Sequence, residues 1–151
     1  MIPIETLRRY RLFAGQDYQM LKQLSRLAHE EVVEADEWLF HQGNPARKFY
    51  LVLDGTVSMS EHRYEEEEHT LRVGTYSTGE VVGWGSLFEP HAYTLCAKAV
   101  QETKLLVIDA GRLRDLLGEN PEGGYHFMAN LAKVLGDQMR SLTTQFISMT
   151  V

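Results

Sequence analysis

A single cysteine, Cys96, stands among 151 residues. No disulfide can form within such a chain, and the sequence fits a reducing, cytoplasmic setting. No apolar run approaches the roughly 18 residues that would cross a membrane, and the opening MIPIETLRRY lacks the layout of a signal peptide. Positive charge is in deficit: 15 Lys and Arg against 21 Asp and Glu give −6. That sign argues against an indiscriminate binder of nucleic acid or of anionic membrane. Prolines number four, and neither a repeat nor a low-complexity linker divides the chain, so residues 1–151 read as one domain. What is present is a globular balance, 44% hydrophobic against 24% charged, which excludes disorder and fibrous repeats.

Residues 6–13 read as a short basic helix closed by Gly15. Asp17 can cap a second helix, in which Tyr18, Leu21, Leu24, Leu27 and Ala28 recur at helical steps. After residue 30 the period shortens to that of strands. The segment 38–40 is a brief apolar strand stopped by Gly43-Asn44-Pro45. Residues 49–53 and 56–59 flank Asp54-Gly55, which reads as the turn of a β-hairpin. Four consecutive glutamates, Glu65 to Glu68, repel one another and suit a solvated hairpin tip. Further strand signals fall at 70–73, 81–82, 93–100 and 104–108, separated by glycines and Pro90. Many short strands with frequent turns predict an antiparallel β-roll or jelly roll. Asp109 then caps a helix ended by Gly118 and Pro121, and a long helix follows over 125–149. The expected fold is mainly β: N-terminal helices over 1–30, a β-roll over 31–108, closing helices over 109–151.

The last helix carries two apolar stripes. Met128, Ala132, Leu135, Met139, Leu142, Phe146 and Met149 alternate steps of four and three, a heptad seam. Phe127, Leu131, Val134 and the polar Gln138 form a second stripe, rotated from the first by about 80–100°. Charge is scarce along this helix, so one stripe should cover the β-roll and the other a partner helix. The expectation is a homodimer through Met128, Leu135, Met139, Leu142, Phe146 and Met149, the alternative being a hairpin with the chain's own first helices. Gly136, inside the helix, costs about 1 kcal/mol relative to alanine; close packing is the favoured reason for it, a soft point the other.

Six histidines invite a metal search, yet none falls in H-x-H, H-x-x-x-H or H-E-x-x-H spacing. No metal site, haem site or required cofactor is expected, and a cupin-type jelly-roll enzyme is disfavoured for the same reason. Cys96 lies within a strand and reads as a small core residue. Gly83-Trp84-Gly85 is half a dinucleotide fingerprint, but Phe88 breaks it.

The stretch from Gly79 to Pro90 is more informative. A strand ends at a glycine pair, and a short helix opens with Gly85 and Ser86. Unshielded amides at such a start can take an anion, whereas the same glycines can also make a tight barrel corner. Together with Asn44-Pro45-Ala46-Arg47-Lys48-Phe49-Tyr50-Leu51-Val52-Leu53-Asp54-Gly55-Thr56-Val57, this segment resembles the cyclic nucleotide-binding domain of catabolite-activator-type regulators and kinase regulatory subunits. The likeness covers nearly the whole chain.

The resemblance implies a ligand site at Gly83, Trp84, Gly85, Ser86, Leu87, Tyr93 and Thr94, with Gln138 reaching the base. The family pattern is G-E-x-x-G-E-[LI]-[AG]-L, then R-[ST]-A. Gly79, Glu80, Gly83 and Leu87 match it, and Ser86 stands where a small residue is usual. Trp84 replaces the glutamate that holds the ribose, and Tyr93 replaces the arginine that pairs with the cyclic phosphate. Thr94 and the amides of Gly85 and Ser86 remain as candidate phosphate donors. Lys98 is a poor substitute for the arginine, since strand alternation turns it away from Tyr93. Regulators of this family continue into a helix-turn-helix module, and here the chain stops at Val151 without a recognition helix. The expectation is a non-enzymatic sensing domain that binds cyclic AMP weakly or not at all and contacts no nucleic acid through this chain. The alternative is a genuine but weak cyclic-nucleotide receptor.

Overall fold

The runs Phe49-Tyr50-Leu51-Val52 and Leu105-Leu106-Val107-Ile108 have no polar position in them, so a strand made of either must be covered on both faces. The computed structural model, which describes residues 1–62 and 70–150, places them side by side. The elements are α1 (Ile4–Leu7), a 3-10 turn (Arg11–Phe13), α2 (Tyr18–Leu27), β1 (Ala28–Val33), β2 (Trp38–Phe40), β3 (Lys48–Asp54), β4 (Thr56–His62), β5 (Thr70–Ser77), β6 (Val81–Val82), a 3-10 turn (Trp84–Leu87), β7 (Cys96–Ala99), β8 (Thr103–Asp109), α3 (Ala110–Glu119) and α4 (Pro121–Thr150). One sheet has the order β1-β8-β3-β6 and the other β2-β7-β4-β5, every pairing antiparallel. This is the mainly β roll with flanking helices that the sequence predicts.

Alternation divides the first sheet between two cores. Phe49, Leu51, Val81, Leu106 and Ile108 face the helices, against Leu12, Phe13, Leu24, Leu113, Phe127 and Leu131. Tyr50, Val52, Val82, Leu105 and Val107 face the second sheet, against Phe40, Val57, Met59, Tyr76 and Tyr93. In the second sheet, β4 alternates between buried Val57 and Met59 and the less buried Thr56 and Ser58.

Two expectations need correction. Asp54-Gly55 does not close a hairpin, because β3 pairs with β6 and β8 while β4 pairs with β5 and β7. The turn carries the chain from one sheet to the other. Gly55 sits at φ +120° with Thr103 against it, where a Cβ would lie 2.5 Å from the Thr103 hydroxyl. The expected helix over 6–13 is instead α1 followed by a separate 3-10 turn. Leu7 and Leu12 are both buried, and one continuous α-helix would set them about 140° apart. Breaking the helix lets both reach the core.

Limits elsewhere shift modestly. β5 extends to Ser77, β7 begins only at Cys96, β1 starts at Ala28, and α4 opens four residues early with Pro121 at its first turn. Asp17 and Asp109 cap as expected, accepting from the backbone N–H groups of Met20 at 2.8 Å and Arg112 at 2.9 Å. Cys96 is buried and free. The glutamate run lies outside the described residues.

The two stripes of α4 have different surroundings. Phe127, Leu131, Val134 and Gln138 are buried. Phe127 lies between Phe13 and Phe49, with ring centroids 6.3 and 5.9 Å away. In the other stripe, Met139, Phe146 and Met149 are 70%, 67% and 80% exposed. Gly136 meets no close neighbour in this chain, since a Cβ there would find only the Arg140 side chain at 4.0 Å. The close packing expected of it is therefore not made within the chain. Among the described residues no helix is long and apolar enough to cross a membrane.

Candidate functional site

The site begins where β6 ends. Val81 and Val82 pair with Leu51 and Tyr50 of β3, and Gly83 then adopts the left-handed region at φ +77°. A side chain at 83 would crowd the Tyr50 ring, the Lys48 carbonyl and the Tyr93 ring at 3.1–3.3 Å. At Gly85 a Cβ would come within 3.0 Å of the Ala92 carbonyl. Both glycines thus serve a tight corner on which two stretches of backbone converge.

The turn that follows is fixed from beneath. Ser86 is fully buried, and both its hydroxyl (2.7 Å) and its backbone N–H (3.1 Å) donate to the Gly83 carbonyl. Its own carbonyl accepts from the Arg114 guanidinium at 2.5 Å, which ties the turn to α3. Leu87 packs against the helix-side core. Ser86 and Leu87 therefore support the corner and do not line the cavity above it.

That cavity has a volume of about 170 Å³ and lies between the second sheet, the corner and α4. Gly83, Trp84, Gly85, Tyr93 and Thr94 of the expected site residues line it. Trp84 remains 39% exposed at its mouth, edge-on to Phe88. Tyr93 is buried and stacked flat on Phe40, with ring centroids 3.7 Å apart and planes 9° from parallel. Its hydroxyl donates to the Lys48 carbonyl at 2.9 Å and lies 3.3 Å from the Lys48 amide. Burial pushes the phenols of Tyr93 and of its neighbour Tyr50 above their ordinary range.

Gln138 does not reach into the cavity. Its side-chain oxygen accepts from the Val81 N–H at 2.7 Å, and its amide nitrogen donates to the Val81 carbonyl at 3.0 Å. Both ends of the amide are spent on β6, so this residue clamps α4 to the strand that feeds the corner. Lys98 stands 5.0 Å from the Trp38 ring centroid and is absent from the cavity lining. Leu142, expected at a dimer seam, is half-buried over the cavity instead. Its side chain comes so close to Gly74 that any Cβ at 74 would overlap it. Met128 and Leu135 also pack partly against this chain's own core. Of the six seam residues, only Met139, Phe146 and Met149 stand largely exposed.

Sequence reasoning missed Phe40, Met59, Val73, Tyr76, Val81, Val82 and Leu95 in the lining. Phe40 and Met59 carried a usable signal, since alternation turns them inward; Tyr76 lies beyond Val73, where the strand was expected to end. Among the described residues no cluster of His, Cys, Asp or Glu could hold a metal ion, and His91 does not line the cavity.

The family profile described as "Cyclic nucleotide-binding domain" matches residues 30–120. The chain belongs to the cyclic nucleotide-binding domain family. It is 27% identical over 118 residues to the anaerobic regulatory protein of Bacillus subtilis, covering 78% of this chain and 48% of that relative. The chain thus spans about half of that protein's length. Among solved structures, it resembles a Geobacter metallireducens protein assigned to cyclic nucleotide binding, with 27% identity and a TM-score of 0.82 over 92% of this chain and 99% of the other. It also resembles the N-terminal domain of a transcriptional regulator from Streptomyces coelicolor A3(2), with 28% identity and a TM-score of 0.68 over 88% and 94% of the two chains.

As a cyclic nucleotide-binding domain the chain keeps the corner of the family pattern. Gly79 and Gly83 take positive φ, at +87° and +77°. Glu80 accepts from the Ser77 amide and hydroxyl at 3.1 and 3.2 Å, holding the approach to β6. The retained residues shape backbone, Gly83 at the cavity wall among them; the replaced ones, Trp84 and Tyr93, present their side chains to the cavity.

Proposed function

We propose that this domain is a non-enzymatic regulatory module that senses a small molecule, that cyclic AMP is at best a near-millimolar ligand, and that the domain works as a homodimer through α4. The observation that carries the reading is Tyr93. At the position of the family's phosphate-binding arginine stands a buried ring stacked on Phe40, its hydroxyl committed to Lys48. A desolvated phosphate needs a cation or several donors, and among the described residues no charged one lines the cavity. Ser86, a donor candidate on sequence grounds, spends its amide and hydroxyl on Gly83.

Magnitudes support weak binding over a modest loss. A hydrogen bond to a charged group contributes about 1.5–3 kcal/mol. Losing two, at the ribose and at the phosphate, removes about 3–6 kcal/mol, or roughly 10²- to 10⁴-fold in affinity. Calorimetry with cyclic AMP on the wild type, Trp84→Glu, Tyr93→Arg and the double variant tests this. The double variant is expected to gain more than the sum of the single changes, because Trp84 must clear the ribose position before an arginine can be used. Micromolar binding by the wild type would refute the reading.

A further inference from the structure

We infer that the cavity beside Trp84 takes a small, uncharged, planar molecule of about one ring. This rests on the sensing role proposed above and names the chemical class of what is sensed.

Size comes first. A volume of about 170 Å³ is close to the roughly 150 Å³ apolar cavity that accommodates benzene, and well below the ~300 Å³ at which sites for larger ligands begin. Charge comes second. The lining holds Phe40, Met59, Tyr76, Trp84, Tyr93 and Leu142 among its members and, among the described residues, contains no Asp, Glu, Lys, Arg or His. Negative charge is felt at its wall: burial chiefly, and then Glu80, raise the Tyr76 phenol above its ordinary range. An anion entering here would lose its water and find no counter-charge in the described lining.

Polar capacity comes third. The Tyr93 hydroxyl is committed to Lys48, and Tyr76 is buried in the core between the two sheets. Thr94 is exposed and brings a hydroxyl to the rim of the cavity. A ring carrying a single neutral polar group, an amide or a hydroxyl, matches that arrangement: flat face to Trp84, polar group to Thr94. Leu142 closes the opposite side, seated on Gly74.

Benzamide and benzoate share ring and size and differ in charge, so they form the test pair, with phenol as a smaller neutral probe. Binding is followed through the indole N–H resonances of Trp84 and Trp38 by NMR. Benzamide and phenol are expected to shift Trp84 and leave Trp38 in place, with benzoate weaker by about tenfold or more. Trp84→Ala, followed through neighbouring methyl signals, should weaken benzamide about tenfold. Leu142→Trp, if its melting temperature is retained, should fill the cavity and abolish binding. Equal binding of benzoate and benzamide overturns the inference. So does any of these results: no shift at Trp84 with either neutral probe at about 10 mM, shifts at Trp38 to match, or unchanged binding by both variants. Tight cyclic AMP binding would instead remove the underlying proposal, so the two failures can be told apart.

Discussion

Helix α4 is about equally apolar before and after Gln138, yet the two halves meet different surroundings. In the first, Phe127, Leu131 and Val134 enter the helix-side core, and Gln138 locks onto Val81. In the second, Leu142 reaches across to Gly74 and the cavity, while Met139 and Met149 are 70% and 80% exposed. Apolar spacing along a helix reports that a face will be covered. It does not report by what. The first half is covered by this chain, and the second offers a surface of the kind a second copy would cover.

The largest effect is expected at Phe127. This ring touches both the Arg11–Phe13 turn and β3, through Phe13 and Phe49, and is fully buried. Phe127→Ala should cost about 3–5 kcal/mol, read as a lowered midpoint in urea unfolding. A loss below about 1 kcal/mol would mean that this half of the helix is not core.

Gln138 comes next, and it separates positioning from ligand contact. Truncation to alanine leaves the buried N–H and carbonyl of Val81 without their partners, at a cost of about 1–3 kcal/mol. Protection of the Val81 amide against hydrogen exchange should fall in Gln138→Ala. If stability and protection stay unchanged while small-molecule binding collapses, Gln138 is a ligand contact and the clamp is wrong.

These residues also show what could be seen in advance. The buried stripe of α4, the caps at Asp17 and Asp109 and the β-roll follow from periodicity and from side chains with one dominant local use. Asp54-Gly55 misled because its turn chemistry is real, while sheet membership is decided elsewhere. The unbroken run 49–52 needs cover on two faces, whereas Thr56-Val57-Ser58-Met59 alternates; the strand pairings are what separate the two between sheets. At the site, the exchange of Glu for Trp84 and of Arg for Tyr93 was legible, but the destination of the tyrosine was not. Whether a phenol points at a ligand or back to the Lys48 carbonyl depends on Phe40, more than fifty residues away in sequence. Gln138 carries the same ambiguity, since an amide that can meet a base can equally meet a backbone, and here it meets Val81.

The smallest effect on the fold should come from the exposed half, and it sharpens the comparison most. Met139→Glu with Met149→Glu changes two side chains that this chain barely covers, so the unfolding free energy of the monomer should move by no more than about 0.5 kcal/mol. Leu142 is a poor choice for this purpose, because its contact with Gly74 would confound lost association with a disturbed cavity. If the exposed half joins two copies, wild type sediments as a dimer at micromolar concentration. The double variant then sediments as a monomer, since each apolar contact becomes a desolvated carboxylate facing its symmetry mate. Retained benzamide binding in that monomer would show that the cavity is complete within one chain. A wild type that is already monomeric would remove the partner from the account of α4, whereas a double variant that unfolds would show that Met139 and Met149 are buried in a way their exposure in one chain does not display.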